Sequence, residues 1–212
     1  MNPVRVGIVD DHLLLLDSFA LGLASSDQIE VVGAFTNLAD LEEASESVEM
    51  DVLVTDLELG PELGTDVVGE ITRRLNARVL LTSGTGDVRG VTAALEAGCS
   101  GFISKGRSLQ EVIAAVLTVG RGGVVFPNDV LADVLSSGLV NQGANLTSRE
   151  SDVLALLACG RNAAEIADEL AMSLNTSRNH IASILSKLGA RSQLEAVVYA
   201  ARAGLVRVGW EQ

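Results

Sequence analysis

The sequence predicts an α/β first half, a parallel sheet covered by helices, followed by an all-α second half. Three observations predict it. Short Val/Ile/Leu runs alternate with helical-period segments over residues 4–119. A stretch rich in Gly and Asn follows, and four short helical segments come after it. At 212 residues the chain is long for one small domain and comfortable for two. Aromatics are only 3% of it, so the cores must be built from Val, Leu, Ile and Ala.

Val4–Val9 reads as the first strand and ends at Asp10-Asp11, with Leu13–Ala24 as the helix behind it. Ile29–Phe35 is the second strand and Leu38–Glu46 a short acidic helix. Val52–Thr55 is the third strand, ending at Asp56, and Asp66–Leu75 its helix. Val79–Thr82 and Val88–Ala97 make the fourth pair, Gly101–Ser104 and Leu109–Val119 the fifth. Five strands alternating with five helices imply a parallel sheet covered on both faces. Such sheets bind ligands outside the carboxyl ends of their strands, near the switch in strand order.

Those strand ends carry Asp10, Asp11, Asp56, Thr82-Ser83 and, just after the fifth strand, Lys105. Three nearby carboxylates repel unless a cation sits among them, and oxygen ligands in a partly open site suit Mg²⁺. One carboxylate could then attack a phosphoryl donor while the metal and Lys105 offset charge on the transferred oxygens. Singly, an Asp after a strand is a turn former, and a Lys there is a surface residue. The joint pattern is what points to a site. His12 reads as a loop or helix-start residue in preference to a metal ligand. Ser83-Gly84-Thr85-Gly86 lacks the Lys-Ser/Thr of a P-loop and reads as the loop after strand four.

Val9-Asp10-Asp11-His12, Asp56, Leu81-Thr82-Ser83 and Gly101-Phe102-Ile103-Ser104-Lys105 resemble the receiver domain of two-component response regulators. The resemblance implies a flavodoxin-like fold and Mg²⁺-dependent phosphoryl transfer from a histidine kinase. It makes Asp56 the acceptor. Asp11 and Asp56 would bind Mg²⁺ directly, Asp10 through water, and the backbone carbonyl of Glu58 would complete the protein ligands. Thr82 and Phe102 would be the switch pair, and Lys105 would bind a phosphoryl oxygen. Two places depart from the family pattern. Gly60 stands where many receivers have Pro, with Pro61 one later, and Gly106 stands where Pro or Asp commonly follows the Lys.

Residues 121–145 have linker composition, with Val130–Leu135 as a helical turn or two. Thr147 and Glu150 then form a capping box opening a helix with Val153, Leu154, Leu156 and Leu157 on its apolar side. Arg161-Asn162 is a turn, and Ala163–Leu170 is a helix with Ile166, Ala167 and Leu170 inward. Thr176–Leu188 is a third helix. Its stripe Ser177, Ile181, Ile184, Leu185 and Leu188 should be buried, and Asn175, Arg178, Asn179, Ala182 and Ser186 should face out. Leu194–Ala203 is a fourth, very apolar helix. Two short helices and a tight turn, the second helix presenting Arg, Asn and small residues, have the layout of a major-groove reader. A small helical bundle with a solvated face has the same spacing. Lys187, Arg149 and Arg191 could reach phosphates.

Leu146-Thr-Ser-Arg-Glu, Ala164-Glu-Ile-Ala, Asn175-Thr-Ser-Arg-Asn-His-Ile and Ile184-Leu-Ser-Lys-Leu-Gly-Ala-Arg-Ser closely resemble the LuxR-type helix-turn-helix. With the receiver in front, the layout is similar to NarL/FixJ-type response regulators: a receiver over 1–120, a linker over 121–145 and the DNA-binding domain over 146–212. The resemblance implies that Arg178, Asn179 and Ala182 face bases and that Thr176, His180 and Lys187 lie near the backbone. It implies dimer contact through the fourth helix, on promoter DNA. Ser177 departs from the family's common Val.

The net charge of −13 argues against nucleic acid at first sight. Its distribution reverses the argument. Residues 1–125 carry 8 Lys and Arg against 19 Asp and Glu, and residues 146–210 carry 7 against 6. Only the second half can approach DNA without strong repulsion. No apolar run reaches the roughly 18 residues of a membrane helix. No secretory signal is expected, and Cys99 and Cys159 read as reduced packing residues of a cytoplasmic protein. Two other functions fit parts of the pattern. One is a phosphorylation-independent DNA-binding regulator whose receiver is a dimerisation or ligand-sensing module. The other, an α/β phosphatase, lacks acid/base groups near Asp56 and leaves the second half unexplained.

Overall fold

The computed structural model describes residues 2–45, 48–59, 62–63, 77–84, 94–95, 97–126 and 146–206. The first half runs β1 (Val4–Val9), α1 (Leu13–Ala24), β2 (Ile29–Phe35), α2 (Leu38–Ser45) and β3 (Val52–Asp56). It continues with β4 (Glu58–Leu59), β5 (Glu62–Leu63), β6 (Arg78–Ser83), β7 (Gly101–Ser104) and α3 (Leu109–Gly120). The helix expected over 66–75 lies outside the described residues, as does the linker turn at 130–135. Of the helix expected over 88–97, Ala94, Leu95 and Ala97 are described, and all are helical.

Five strands form one parallel sheet in the order β2-β1-β3-β6-β7. The strand order reverses between β1 and β3, so the crevice lies where Asp10 and Asp56 leave the sheet. Every residue of β3 is buried, as a central parallel strand requires. Side chains alternate across the sheet. Val6, Ile8, Val52, Val54, Leu80 and Ile103 pack with Leu16 of α1 and Val112 and Val116 of α3. Val9, Leu53, Val79, Leu81 and Phe102 pack on the other face, with Leu41 of α2. The antiparallel β4–β5 pair was not expected from the sequence. Its two-residue strands are too short to carry a period-2 pattern.

The second half is α4 (Ser148–Ala158), α5 (Ala163–Glu169), α6 (Leu174–Leu188) and α7 (Gln193–Arg202). The Thr147/Glu150 capping box is present. Asn162, read as a turn residue, caps α5 by accepting from the N–H groups of Ala164 and Glu165. Gly189 ends α6 at φ 66°, a left-handed cap that glycine adopts without a Cβ clash. Leu154, Leu157, Ile166, Ile184 and Leu194 are fully buried at its centre. Cys99 is buried, but Cys159 is exposed, because the helix end that holds it turns it to the surface instead of into the core. Among the described residues no helix is long and apolar enough to cross a membrane.

Candidate functional site

The register of the sheet assembles the first site. Asp56 ends β3 directly opposite Thr82 of β6, and Ser83 pairs with Ser104 of β7. Lys105 follows β7, and its N–H donates to the Ser83 carbonyl at 2.8 Å. Its ammonium therefore points back across the rim. Nζ donates to Asp10 Oδ2 and to Asp56 Oδ2, each at 2.8 Å. The Asp10 and Asp56 side chains are only 5% and 6% exposed, so their charges face little water and the Lys105 ammonium. Burial works against the Lys105 ammonium, but hydrogen bonds and charge from Asp10 and Asp56 outweigh it and hold the amine above the usual lysine range.

Asp10 Oδ1 accepts from the His12 N–H at 2.9 Å, which turns the chain into α1. His12 Nδ1 lies 2.8 Å from Asp11 Oδ1 and 3.3 Å from Asp10 Oδ1. It is largely exposed and gives α1 no side-chain cap. Ligand atoms of Asp10, Asp11, His12 and Asp56 all lie within 4.8 Å of one another. Three carboxylates against one ammonium leave a net negative, oxygen-rich pocket, and that donor set fits Mg²⁺. Glu58 stands two residues past Asp56, in β4. Thr82 is buried, and its hydroxyl donates to the Thr55 carbonyl at 3.4 Å. Phe102 is 1% exposed on β7. Gly106 is exposed, and a Cβ there meets only Ser104 Oγ at 3.7 Å, so this departure from the family pattern imposes no steric demand.

The second site is the outer face of α6. Asn175, Thr176, Arg178, Asn179, Ala182 and Ser186 are exposed, and His180 is half-buried. Ser177, Ile181, Ile184 and Leu188 are buried beneath them, and Leu185 is half-buried. Lys187 is more constrained than a free phosphate contact. Its ammonium donates to Glu150 Oε2 at 2.6 Å. Glu150 also accepts from Ser183 Oγ at 2.6 Å and from the Thr147 N–H at 2.7 Å. Lys187, then Ser183 and Thr147, hold its carboxyl far below the usual glutamate range, against the effect of burial. Arg149 donates to the Leu170 carbonyl at the end of α5 and pairs with Asp152 at 3.6 Å. Sequence reasoning found the capping role of Glu150 but not its grip on α6. The only signal for that grip was a Ser and a Lys four apart on α6.

Comparison with known proteins agrees with this layout. Residues 6–117 match the family model for the response regulator receiver domain. Residues 144–200 match the one for bacterial regulatory proteins of the luxR family. The chain is similar to the transcriptional regulatory protein LnrK of Bacillus subtilis (strain 168), at 30% identity over 95% of this chain and 98% of that protein. It is similar to LiaR of the same strain, at 31% identity over 96% and 99%. Among solved structures it resembles the Salmonella typhimurium RcsB response regulator, with a TM-score of 0.59, 25% identity, and coverage of 95% and 99%. It also resembles the response regulator ChrA of a heme-sensing two-component system, with a TM-score of 0.52, 25% identity, and coverage of 97% and 100%. A carboxylate rim on a five-stranded parallel sheet, joined to a helix-turn-helix and matched by both families, makes this chain a NarL/FixJ-type response regulator, a two-component DNA-binding transcription regulator and not an enzyme.

Proposed function

We propose that Asp56 accepts a phosphoryl group from a sensor histidine kinase and that this event controls promoter binding through α6. The observation that carries the reading is the Asp10–Lys105–Asp56 arrangement: two buried carboxylates from separate strands on one ammonium, at the switch point of the sheet. An Asp56 carboxylate oxygen attacks the phosphorus of the phosphohistidine. The P–N bond breaks with its electron pair going to the imidazole nitrogen, and an acyl phosphate is left on Asp56. Asp11, Asp56 and the Glu58 carbonyl would hold Mg²⁺ directly and Asp10 through water, and the ion would offset charge on the phosphoryl oxygens. Lys105 exchanges its carboxylate partners for a phosphoryl oxygen. Thr82, opposite Asp56 in the sheet, hydrogen-bonds the acyl phosphate, and Phe102 is its switch partner.

The receiver comprises residues 1–120, the linker 121–145 and the DNA-binding domain 146–212. Arg178, Asn179 and Ala182 face bases, with Thr176, His180 and Lys187 along the backbone. RcsB, to which the chain is similar, was studied for its interaction with DNA. The unphosphorylated chain is held as a monomer. Two observations favour this over masking of the recognition helix: the outer face of α6 is open, while α7, which packs on α4 and α6, shares one apolar cluster with Phe102 and Phe126 of the first half. A homodimer through α7 then binds paired half-sites. The protein works in the cytoplasm, where kinase and promoter meet.

The test measures molar mass and affinity for a fragment of the protein's own promoter, with and without beryllofluoride and Mg²⁺. Both should rise with the mimic, affinity by on the order of tenfold or more, and Asp56→Ala should abolish the change. Equal mass and affinity in both states would sink the reading and favour a phosphorylation-independent regulator.

A further inference from the structure

We infer that residues 123–126 are a strap joining the switch strand β7 to the helical domain, and that its release frees α7 when Asp56 changes state. The inference rests on the phosphoryl-switch reading and adds the part that transmits the signal.

The strap is bonded to β7 itself. The Phe102 N–H donates to the Val125 carbonyl at 2.9 Å, the Val125 N–H to the Ser100 carbonyl at 3.4 Å, and Gly101 and Val125 form a parallel bridge. Val125 thus adds a single rung to the sheet edge that β7 otherwise leaves open among the described residues. The next residue stacks on the switch position. The Phe126 ring centroid is 6.2 Å from that of Phe102, tilted by 43°, and both rings are 1% exposed.

The other end of the strap touches the DNA-binding half. Gly123 donates to the Thr118 carbonyl at the end of α3. A Cβ on Gly123 would run into the carbonyl oxygen of Gly160, in the turn between α4 and α5. That contact is backbone against backbone, and the same Cβ would also press on Thr118 of α3, at 2.9 Å from its Cγ2 and 3.1 Å from its carbonyl oxygen.

Both ends of the relay meet named parts. Lys105, just past β7, spans Asp10 and Asp56. A phosphoryl group on Asp56 must redraw those bonds, and the strand anchored by Lys105 carries the strap three residues earlier. On the far side, Leu194, Ala196, Val197, Val198 and Ala200 of α7 are at most 1% exposed. Residues of a helix step by about 100°, so this run is covered on every side. One continuous apolar cluster joins these residues to Phe102, Val124 and Phe126. Cys99, just before β7, is pushed up to about 12 by its burial and by the charge of Glu195 on α7. One rung and one ring pair are few enough interactions to be reversed by a single phosphoryl event.

The experiment uses the full chain and two variants, Phe126→Ala and Gly123→Ala, which attack the strap at opposite ends. Thermal melts confirm folding, and either variant suffices if the other does not fold. Without beryllofluoride each variant should bind the promoter fragment about tenfold tighter than the wild type, and beryllofluoride with Mg²⁺ should add less than about threefold more. In the wild type, deuterium exchange at the Phe102 and Val125 amides should quicken on adding the mimic. If folded variants keep both the wild-type affinity and the full wild-type response, the strap is overturned while the switch stands. If the wild type ignores the mimic, the switch reading has failed, and the strap is then decided by whether the variants bind more tightly without it.

Discussion

Replacing Ser177 by Ala should stabilise the helical domain. Ser177 sits on the buried face of α6 at 0% exposure, and its hydroxyl has no hydrogen-bond partner among the described residues. A buried hydroxyl left unpaired costs about 1–3 kcal/mol. Alanine removes that cost and gains about 0.5 kcal/mol of helix propensity. The space left by one oxygen, roughly 15 Å³ at about 24 cal/mol per Å³, takes back about 0.4 kcal/mol. The net gain is about 1–3 kcal/mol, which should raise the helical-domain Tm by at least about 4 °C. Calorimetry on the full chain reads the change directly. DNA affinity of the phosphomimetic form should stay level, because Ser177 faces the core while Arg178 and Asn179 face out. A lower Tm in Ser177→Ala would refute the reasoning. It would show that the hydroxyl is bonded in solution, for instance to the Ser173 carbonyl one turn back.

Two further outcomes follow from the charged groups. Glu150 is held ionised in the folded domain, so its contribution to stability is complete above the unfolded carboxyl value of about 4.3 and is lost as pH falls toward the depressed folded value. Glu150→Gln should therefore melt below the wild type at pH 7, with the gap closing below about pH 4; a gap independent of pH would mean that the carboxylate charge is not what ties Thr147, Ser183 and Lys187 together. Lys105→Met removes the cation that now sits on Asp10 and Asp56, so Mg²⁺ should bind on the order of tenfold tighter by titration calorimetry while the response of DNA affinity to beryllofluoride is lost. Weaker Mg²⁺ binding in that variant would mean that the ammonium organises the carboxylates more than it competes for them.

The sequence by itself determined the order of the described strands and helices, the placing of Asp10, Asp56 and Lys105 at the strand ends and the outward face of α6. These follow from local rules: side-chain period along strand and helix, and capping at the next three residues. Val4–Val9, Gly101–Ser104 and the Thr147–Glu150 box therefore match the structure residue for residue. The tertiary structure alone decided which of those groups touch. Lys105 reaches Asp10 across 95 residues, and it reaches both carboxylates only because β1, β3 and β7 end on one rim. Glu150 turned out to grip α6 as well as cap α4, since Ser183 and Lys187 arrive from a helix whose crossing no periodicity encodes. Val124–Phe126 carries a short β-branched and aromatic run that reads as linker. Val125 bridges to Gly101 because, among the described residues, β7 leaves an edge open beside it. Pattern is written in neighbours along the chain, whereas contact depends on how the whole chain closes.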